Sequence, residues 1–125
     1  MERFLAVCGA GAVGSGLRYL VGLGAAAKMP ASFPYGTLIV NLVGSFVIAL
    51  VMEIAIRSAD FSPTLRVAIT TGLIGGLTTS SSFNYESSQL LLNGQVARGI
   101  ANVAITLIGC FVMGVLGLAL ARRLV

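Results

Sequence analysis

Four long apolar stretches alternate with short polar connections along the whole chain. The stretches run over residues 4–27, 35–56, 65–92 and 96–120, and the connections contain all three prolines. The hydrocarbon core of a bilayer is about 30 Å thick and is crossed by about 20 helical residues. Each stretch is therefore long enough to span a membrane. We predict one all-α integral membrane domain with four transmembrane helices.

Composition excludes several classes of function. Of the 125 residues, 57% are hydrophobic and 10% are charged, and a soluble domain of this size cannot bury so much apolar surface. The chain has no histidine, and its two cysteines, Cys8 and Cys110, lie in apolar stretches without a C-x-x-C pair. The basic residues are scattered and show no interleaved aromatic side chains. These features argue against an enzyme, a zinc site and nucleic-acid binding.

The charges at the span ends bear on orientation and assembly. With four spans both termini share one side, which carries five arginines against three basic residues on the other. This weak bias is compatible with insertion in both orientations but does not establish it. Four helices rarely enclose a permeation path, so we expect self-association. The first span offers small residues at four-residue spacing, which pack within one subunit or at a subunit interface: Ala10/Gly14, Gly11/Ser15 and Ala12/Gly16.

Two spans carry polar side chains on one helical face. Thr37, Asn41 and Ser45 share such a face in the second span, because each lies four residues from the last. The fourth span repeats the spacing with Asn102, Thr106 and Cys110. Two interpretations stay open for both sets. They form interhelical hydrogen bonds, or they line a polar path in which Asn41 is an amide donor.

The third span contains a sequence that is unfavourable for a continuous helix. Gly75 and Gly76 are followed by five consecutive hydroxyl residues, from Thr78 to Ser82. Glycine disfavours helix interiors, and serine and threonine side chains compete for backbone partners. We predict a helix broken around residues 75–79, with Thr79 or Ser80 capping its second half. Such a break exposes carbonyls that suit a small cation and N–H groups that suit an anion.

The absence of acidic side chains from the middle of the spans indicates which type of ion the path suits. All four acidic residues map to span ends, which opposes a proton-coupled carrier and a cation pore with acidic rings. Amide and hydroxyl donors, and the ring edge of Phe83, suit an anion. Burying an ion of carboxylate size costs on the order of 20 kcal/mol, whereas one hydrogen bond to a charge returns only about 1.5–3 kcal/mol. Several donors must therefore act together: Thr37, Asn41, Ser45 and Ser80–Ser82.

At this point the chain resembles the Fluc family of fluoride channels, the CrcB-type proteins, over almost its whole length. The matching segments are Gly-Leu-Arg18, the run G-T-L-I-V-N-L-V-G over residues 36–44, T-T-G over residues 70–72, G-G-L-T-T over residues 75–79, and the following S-S-F-x-x-E. One departure is Ser80, where the family usually has an aromatic residue. A serine there still offers a hydroxyl donor. Alternatively, the chain pairs with a paralogue, or the position is an engineered substitution.

The resemblance implies an antiparallel, dual-topology homodimer with one fluoride pathway along each side of its interface. It implies a structural Na⁺ at the dimer centre, held by the backbone carbonyls of Gly75 and Thr78 from both subunits. Lining residues implied for the pathway are Asn41, the third-span aromatic Phe83, and a hydroxyl track through Ser81 and Ser82. Arg18 would lie in a watery vestibule and Glu86 near the pathway end.

The function expected from these features is passive export of fluoride across the plasma membrane, the inner membrane of a bacterium. An alternative is a small four-span multidrug exporter, although such carriers need a membrane-embedded glutamate in the first span, and here only Glu2 lies at its edge. A second alternative is a non-conducting membrane assembly subunit. That alternative explains the small residues of the first span but not the hydroxyl cluster of the third.

Overall fold

The computed structural model describes all 125 residues, which form helices joined by short connections. Three helices are long and apolar enough to cross a membrane: α1 (Glu2–Lys28), α2 (Tyr35–Arg57) and α6 (Val96–Leu124). They coincide with the first, second and fourth predicted spans. Large apolar side chains are exposed along them, such as Ile108 at 66% and Phe111 at 73%. An apolar outer surface of this kind fits a bilayer and not water.

The predicted third span is made of shorter pieces. They are α3 (Pro63–Val67), a π-helical segment (Ala68–Ile74), α4 (Gly75–Leu77) and α5 (Ser80–Leu92). Thr78 and Thr79 between α4 and α5 have extended backbone conformations. The predicted interruption is therefore confirmed, but it lies after the glycine pair, which is itself helical. The π-helical segment was not predicted.

Local capping explains where these pieces begin. The Ser62 hydroxyl accepts a hydrogen bond from the Leu65 N–H, and Pro63 occupies the first helical position, where its missing N–H is not needed. The Thr79 hydroxyl accepts from the Ser82 N–H at 3.1 Å. This bond caps α5, as predicted for Thr79 or Ser80, and lets a new helix start directly after the break.

Helix α1 packs against the π-helical segment and α4 almost backbone to backbone. A Cβ atom on Gly14 would overlap the Leu73 carbonyl oxygen, and one on Gly72 would lie 2.8 Å from the Ala10 Cβ. A Cβ on Gly76 would lie 2.5 Å from the Gly11 carbonyl oxygen. The small residues at positions 10, 11 and 14 therefore serve contacts inside one subunit, the first of the two roles considered for them.

Gly14→Ala should destabilise the fold because the added methyl group has no space beside Leu73. Overpacking of this kind costs about 1–3 kcal/mol. The matched control is Gly16→Ala in the same helix, where an added Cβ meets no atom within 4 Å. The control should be neutral or slightly stabilising, because alanine favours a helix by about 1 kcal/mol over glycine. Thermal unfolding in detergent measures both, and equal melting temperatures would contradict the proposed packing.

Polar contacts join α6 to its neighbours. The buried Asn102 amide donates to the Ser87 hydroxyl of α5 at 2.8 Å, and Thr106 donates to Asn102 at 3.5 Å. At the other end of α6, Arg122 and Arg57 both donate to one Glu53 oxygen, at 2.9 and 2.8 Å. Of the two interpretations of the polar face of the fourth span, interhelical hydrogen bonding is therefore the one that the Asn102 contact supports.

Candidate anion pathway and cation site

The centre of the candidate site is a reciprocal pair between Asn41 of α2 and the backbone of Thr79. The Asn41 Nδ2 donates to the Thr79 carbonyl at 3.0 Å, and the Thr79 N–H donates to the Asn41 Oδ1 at 2.8 Å. Both residues are buried, with 8% and 7% of their surface exposed. Asn41 therefore supplies the acceptor that the Thr79 N–H loses at the break, and its amide also binds the Thr79 carbonyl. One of its two amide hydrogens is used in this contact.

This pair and the Thr79 cap change the hydrogen bonding of two carbonyls. In a continuous helix the Gly75 carbonyl would accept from the Thr79 N–H, and the Thr78 carbonyl from the Ser82 N–H. Here the Thr79 N–H binds Asn41, and the Ser82 N–H binds the Thr79 hydroxyl. The carbonyls of Gly75 and Thr78 thus both lose their usual helical donors, which makes them available to another ligand.

The hydroxyl groups that follow the break lie on two sides of α5. The Thr79 hydroxyl contacts the hydroxyls of Ser81 at 3.2 Å and Ser82 at 3.1 Å, which forms one cluster. Ser80 instead lines a different surface, together with Phe83. The predicted hydroxyl track is therefore divided, with Thr79 between its two parts.

On one side of Thr79 lies a cavity of about 350 Å³, here called the Arg18 cavity. Its polar lining comes from three helices and consists of Ser15, Arg18, Tyr19, Thr37, Thr79 and Ser82. Every ion pair in the structure involves Glu53, so Arg18 has no carboxylate partner. An unpaired cation among hydroxyl groups attracts anions.

A second cavity of about 270 Å³, here called the outer cavity, adjoins the first and shares Gly22, Gly36 and Thr37 with it. Glu86 lies on its wall and accepts a hydrogen bond from the Thr37 hydroxyl at 2.8 Å. The other oxygen of Glu86, Oε2, is buried and has no partner. The two cavities together lead from the connection after α1 to the Asn41–Thr79 pair.

The opposite side of the break is an open groove of about 510 Å³, here called the central groove. Its lining combines polar and apolar groups, among them Asn41, Ser45, Gly75, Thr78, Ser80, Phe83, Thr106 and Cys110. Ser45 donates to the Asn41 carbonyl at 2.7 Å, so its hydroxyl is bound within its own helix. Gly75 and Ser80 are exposed to this groove.

The structure brings together most of the residues predicted for the site. Thr37, Arg18 and Ser82 line the Arg18 cavity, Glu86 lines the outer cavity, and the other predicted residues except Ser81 line the central groove. Ser81 is exposed and reaches the cluster through Thr79. The sequence analysis assigned no role at the site to Ser15 or Gly44: Ser15 appeared only among the small residues of the first span, and Gly44 only in the run that resembles the family.

Comparisons with known proteins fit this arrangement. A family model described as "CrcB-like protein, Camphor Resistance (CrcB)" matches residues 5–118. A protein of Sorangium cellulosum (strain So ce56) named "Fluoride-specific ion channel FluC" is 46% identical over 125 residues, covering 100% of this chain and 98% of its own. A protein of the same name from Citrifermentans bemidjiense is 43% identical, and the match covers 99% of this chain and 100% of that protein. Another from Clostridium perfringens (strain ATCC 13124) is 44% identical, and the match covers 91% of this chain and 89% of that protein. The chain therefore belongs to the CrcB-like family.

Proposed function

We propose that this chain is a fluoride-specific ion channel, a multi-pass protein of the plasma membrane and not an enzyme. The relatives that bear this name match it along nearly their whole length. The observation that carries the proposal is the Arg18 cavity, where an unpaired guanidinium and several hydroxyl groups lie beside the Asn41–Thr79 pair. Such a lining stabilises a small anion without a carboxylate that would repel it.

The direction of transport follows from the chemistry of a weak acid. Neutral HF crosses a bilayer and dissociates in the less acidic interior, which traps F⁻ inside. A passive pore lets F⁻ leave, because an inside-negative potential contributes about 2.3 kcal/mol per 100 mV. That free energy corresponds to roughly a 50-fold concentration ratio, at 1.4 kcal/mol per tenfold. No coupled energy source is required.

The pathway runs from the outer cavity past Glu86 and Thr37 into the Arg18 cavity, and then along the hydroxyl cluster beside Asn41. Arg18 raises the anion concentration within the cavity that it lines. The remaining N–H of Asn41 and the hydroxyls of Ser81 and Ser82 replace part of the hydration shell. Beyond Thr79, which lines both the Arg18 cavity and the central groove, the path continues into that groove, where Ser80 and Phe83 contribute a hydroxyl and a ring edge.

A second copy of the chain, inserted in the opposite orientation, covers the central groove. Supporting this, the groove exposes Ser80 and the Gly75 backbone within a span, where lipid offers no hydrogen-bonding partner. In this arrangement α3, the π-helical segment, α4 and α5 cross the membrane together as one interrupted span. The weak charge asymmetry between the two sides is compatible with both orientations.

The carbonyls of Gly75 and Thr78 from each copy would hold a sodium ion at this interface. Unwound backbone carbonyls at a helix break are typical ligands for Na⁺ in membrane proteins. The carbonyls of Gly75 and Thr78 fit this role because the N–H groups that would normally bind them, those of Thr79 and Ser82, bind other acceptors. When bound, such an ion would supply positive charge between the carbonyls of the two broken spans.

Purified protein in liposomes tests the function directly. Liposomes loaded with potassium fluoride should release F⁻ to an electrode when valinomycin dissipates the electrical potential, and chloride-loaded liposomes should release much less Cl⁻. The flux should persist without a pH gradient, since no intramembrane carboxylate relay is present. Strict dependence on a proton gradient would favour the exporter alternative, and absence of flux from folded protein would favour the assembly subunit.

A further inference from the structure

Gly44 of α2 forms a notch that holds the side chain of Thr78. Gly44 is buried, and a Cβ atom at this position would overlap the Thr78 Cγ2 methyl and lie 3.6 Å from the Ile74 Cγ2. The Thr78 methyl therefore occupies the space that any larger residue at position 44 would need. Gly44 lies three residues after Asn41, so both residues contact the break from the same helix.

The orientation of Thr78 is fixed from its other side by hydrogen bonds. Its N–H and its hydroxyl both donate to the Ile74 carbonyl, at 2.9 and 3.0 Å. With the hydroxyl held there, the methyl group points to Gly44, and the side chain cannot rotate away without losing the hydroxyl bond. A group that displaces the methyl must therefore also move the Thr78 backbone and its carbonyl.

We infer that Gly44 is a positioning residue of the cation site: the notch determines where the Thr78 carbonyl lies. This inference rests on the sodium site of the proposed function. Gly44 touches Thr78 and contributes no ligand of its own. Groups that orient a metal ligand from behind typically change metal affinity by about 10–100-fold when they are altered.

The inference is tested by enlarging residue 44 and shrinking residue 78. The measured property is sodium binding and not fluoride flux. The melting temperature of the detergent-solubilised protein is measured against Na⁺ concentration, with N-methyl-D-glucamine maintaining ionic strength. An ion that binds only the folded state stabilises it by RT ln(1 + [Na⁺]/Kd), so a higher Kd moves the dependence of the melting temperature to higher Na⁺ concentration. The variants are Gly44→Ala, Thr78→Ser and the double variant, with Gly9→Ala as a matched control, because an added Cβ at position 9 meets no atom within 4 Å.

Gly44→Ala should raise the Na⁺ concentration needed for a given increase in melting temperature by at least about tenfold, and Gly9→Ala should leave it unchanged. Thr78→Ser deletes the methyl but keeps the hydroxyl bond to Ile74, so the double variant should return to within about threefold of the parent. This rescue distinguishes the notch from general damage. Should Gly44→Ala alone not fold, the double variant is compared with Thr78→Ser.

An unchanged Na⁺ dependence of the melting temperature in Gly44→Ala, or a folded double variant that does not recover, would overturn the inference and leave the sodium site standing. A parent protein without any Na⁺-dependent stabilisation would overturn the sodium site and this inference together. The fluoride proposal is judged separately by the liposome flux, so failure of the two ideas is distinguishable.

Discussion

Asn41→Asp should reduce fluoride flux more than a hundredfold. The substitution places a negative charge against the proposed pathway and removes the N–H donors, including the one that binds the Thr79 carbonyl at 3.0 Å. Two like charges about 5 Å apart repel by about 3 kcal/mol at an effective dielectric constant near 20, which corresponds to more than a hundredfold in rate. The measurement is F⁻ efflux from liposomes with equal amounts of reconstituted protein.

The matched control for this change is Gln95→Glu. Gln95 is exposed just before α6 and lines none of the cavities of the proposed pathway, so the same amide-to-carboxylate change there adds a charge away from the pathway. Its flux should stay within about twofold of the parent, since screened surface charges interact weakly. Gel filtration and circular dichroism establish that both variants fold. Near-normal flux in folded Asn41→Asp would remove Asn41 from the pathway and leave it only its contact with the helix break.

Arg18→Gln should lower fluoride flux about 30-fold at low ionic strength. Arg18 lines its cavity without a carboxylate partner, so its charge acts on anions that enter. At about 8 Å and an effective dielectric constant near 20, one charge contributes about 2 kcal/mol, which is about 30-fold in local anion concentration. The loss should shrink as salt is added, because a water-filled cavity is screened by mobile ions.

Two further variants separate charge from shape at this position. Arg18→Lys keeps the charge and should retain most of the flux. Arg98→Gln removes the same charge near the start of α6, where the Arg98 side chain is exposed and bonded to Gln95. It should conduct like the parent. Equal losses in Arg18→Gln and Arg18→Lys would indicate that the guanidinium packs the cavity wall and does not attract the anion.

The sequence was most informative where a property is local. Continuous apolar stretches predicted α1, α2 and α6, because the length of a hydrophobic segment decides whether it spans a bilayer. Hydroxyl residues after a glycine pair predicted the interruption near Thr78 and Thr79, because their side chains compete with helical hydrogen bonds. The π-helical segment before it was not predicted; it packs closely against the backbone of α1, a contact between residues far apart in the sequence.

The role of each polar side chain was harder to predict from the sequence. The spacing of Thr37, Asn41 and Ser45 indicated one polar face but left open whether it binds other helices or lines a path. In the structure each has a different partner: Thr37 binds Glu86, Asn41 binds Thr79, and Ser45 binds its own helix. The partners of Thr37 and Asn41 lie 49 and 38 positions away along the chain.

The sequence by itself determined a membrane-embedded helical protein with a break in its third apolar stretch and a polar, nearly uncharged interior. It did so because hydrophobic length, helix propensity and the missing charges act over a few neighbouring residues. Only the tertiary structure decided that Asn41 holds the break, that Ser80 and Ser82 lie on different sides of it, and that Gly44 receives the Thr78 methyl. These contacts depend on the rotation of each helix about its own axis and on its distance from the neighbouring helix.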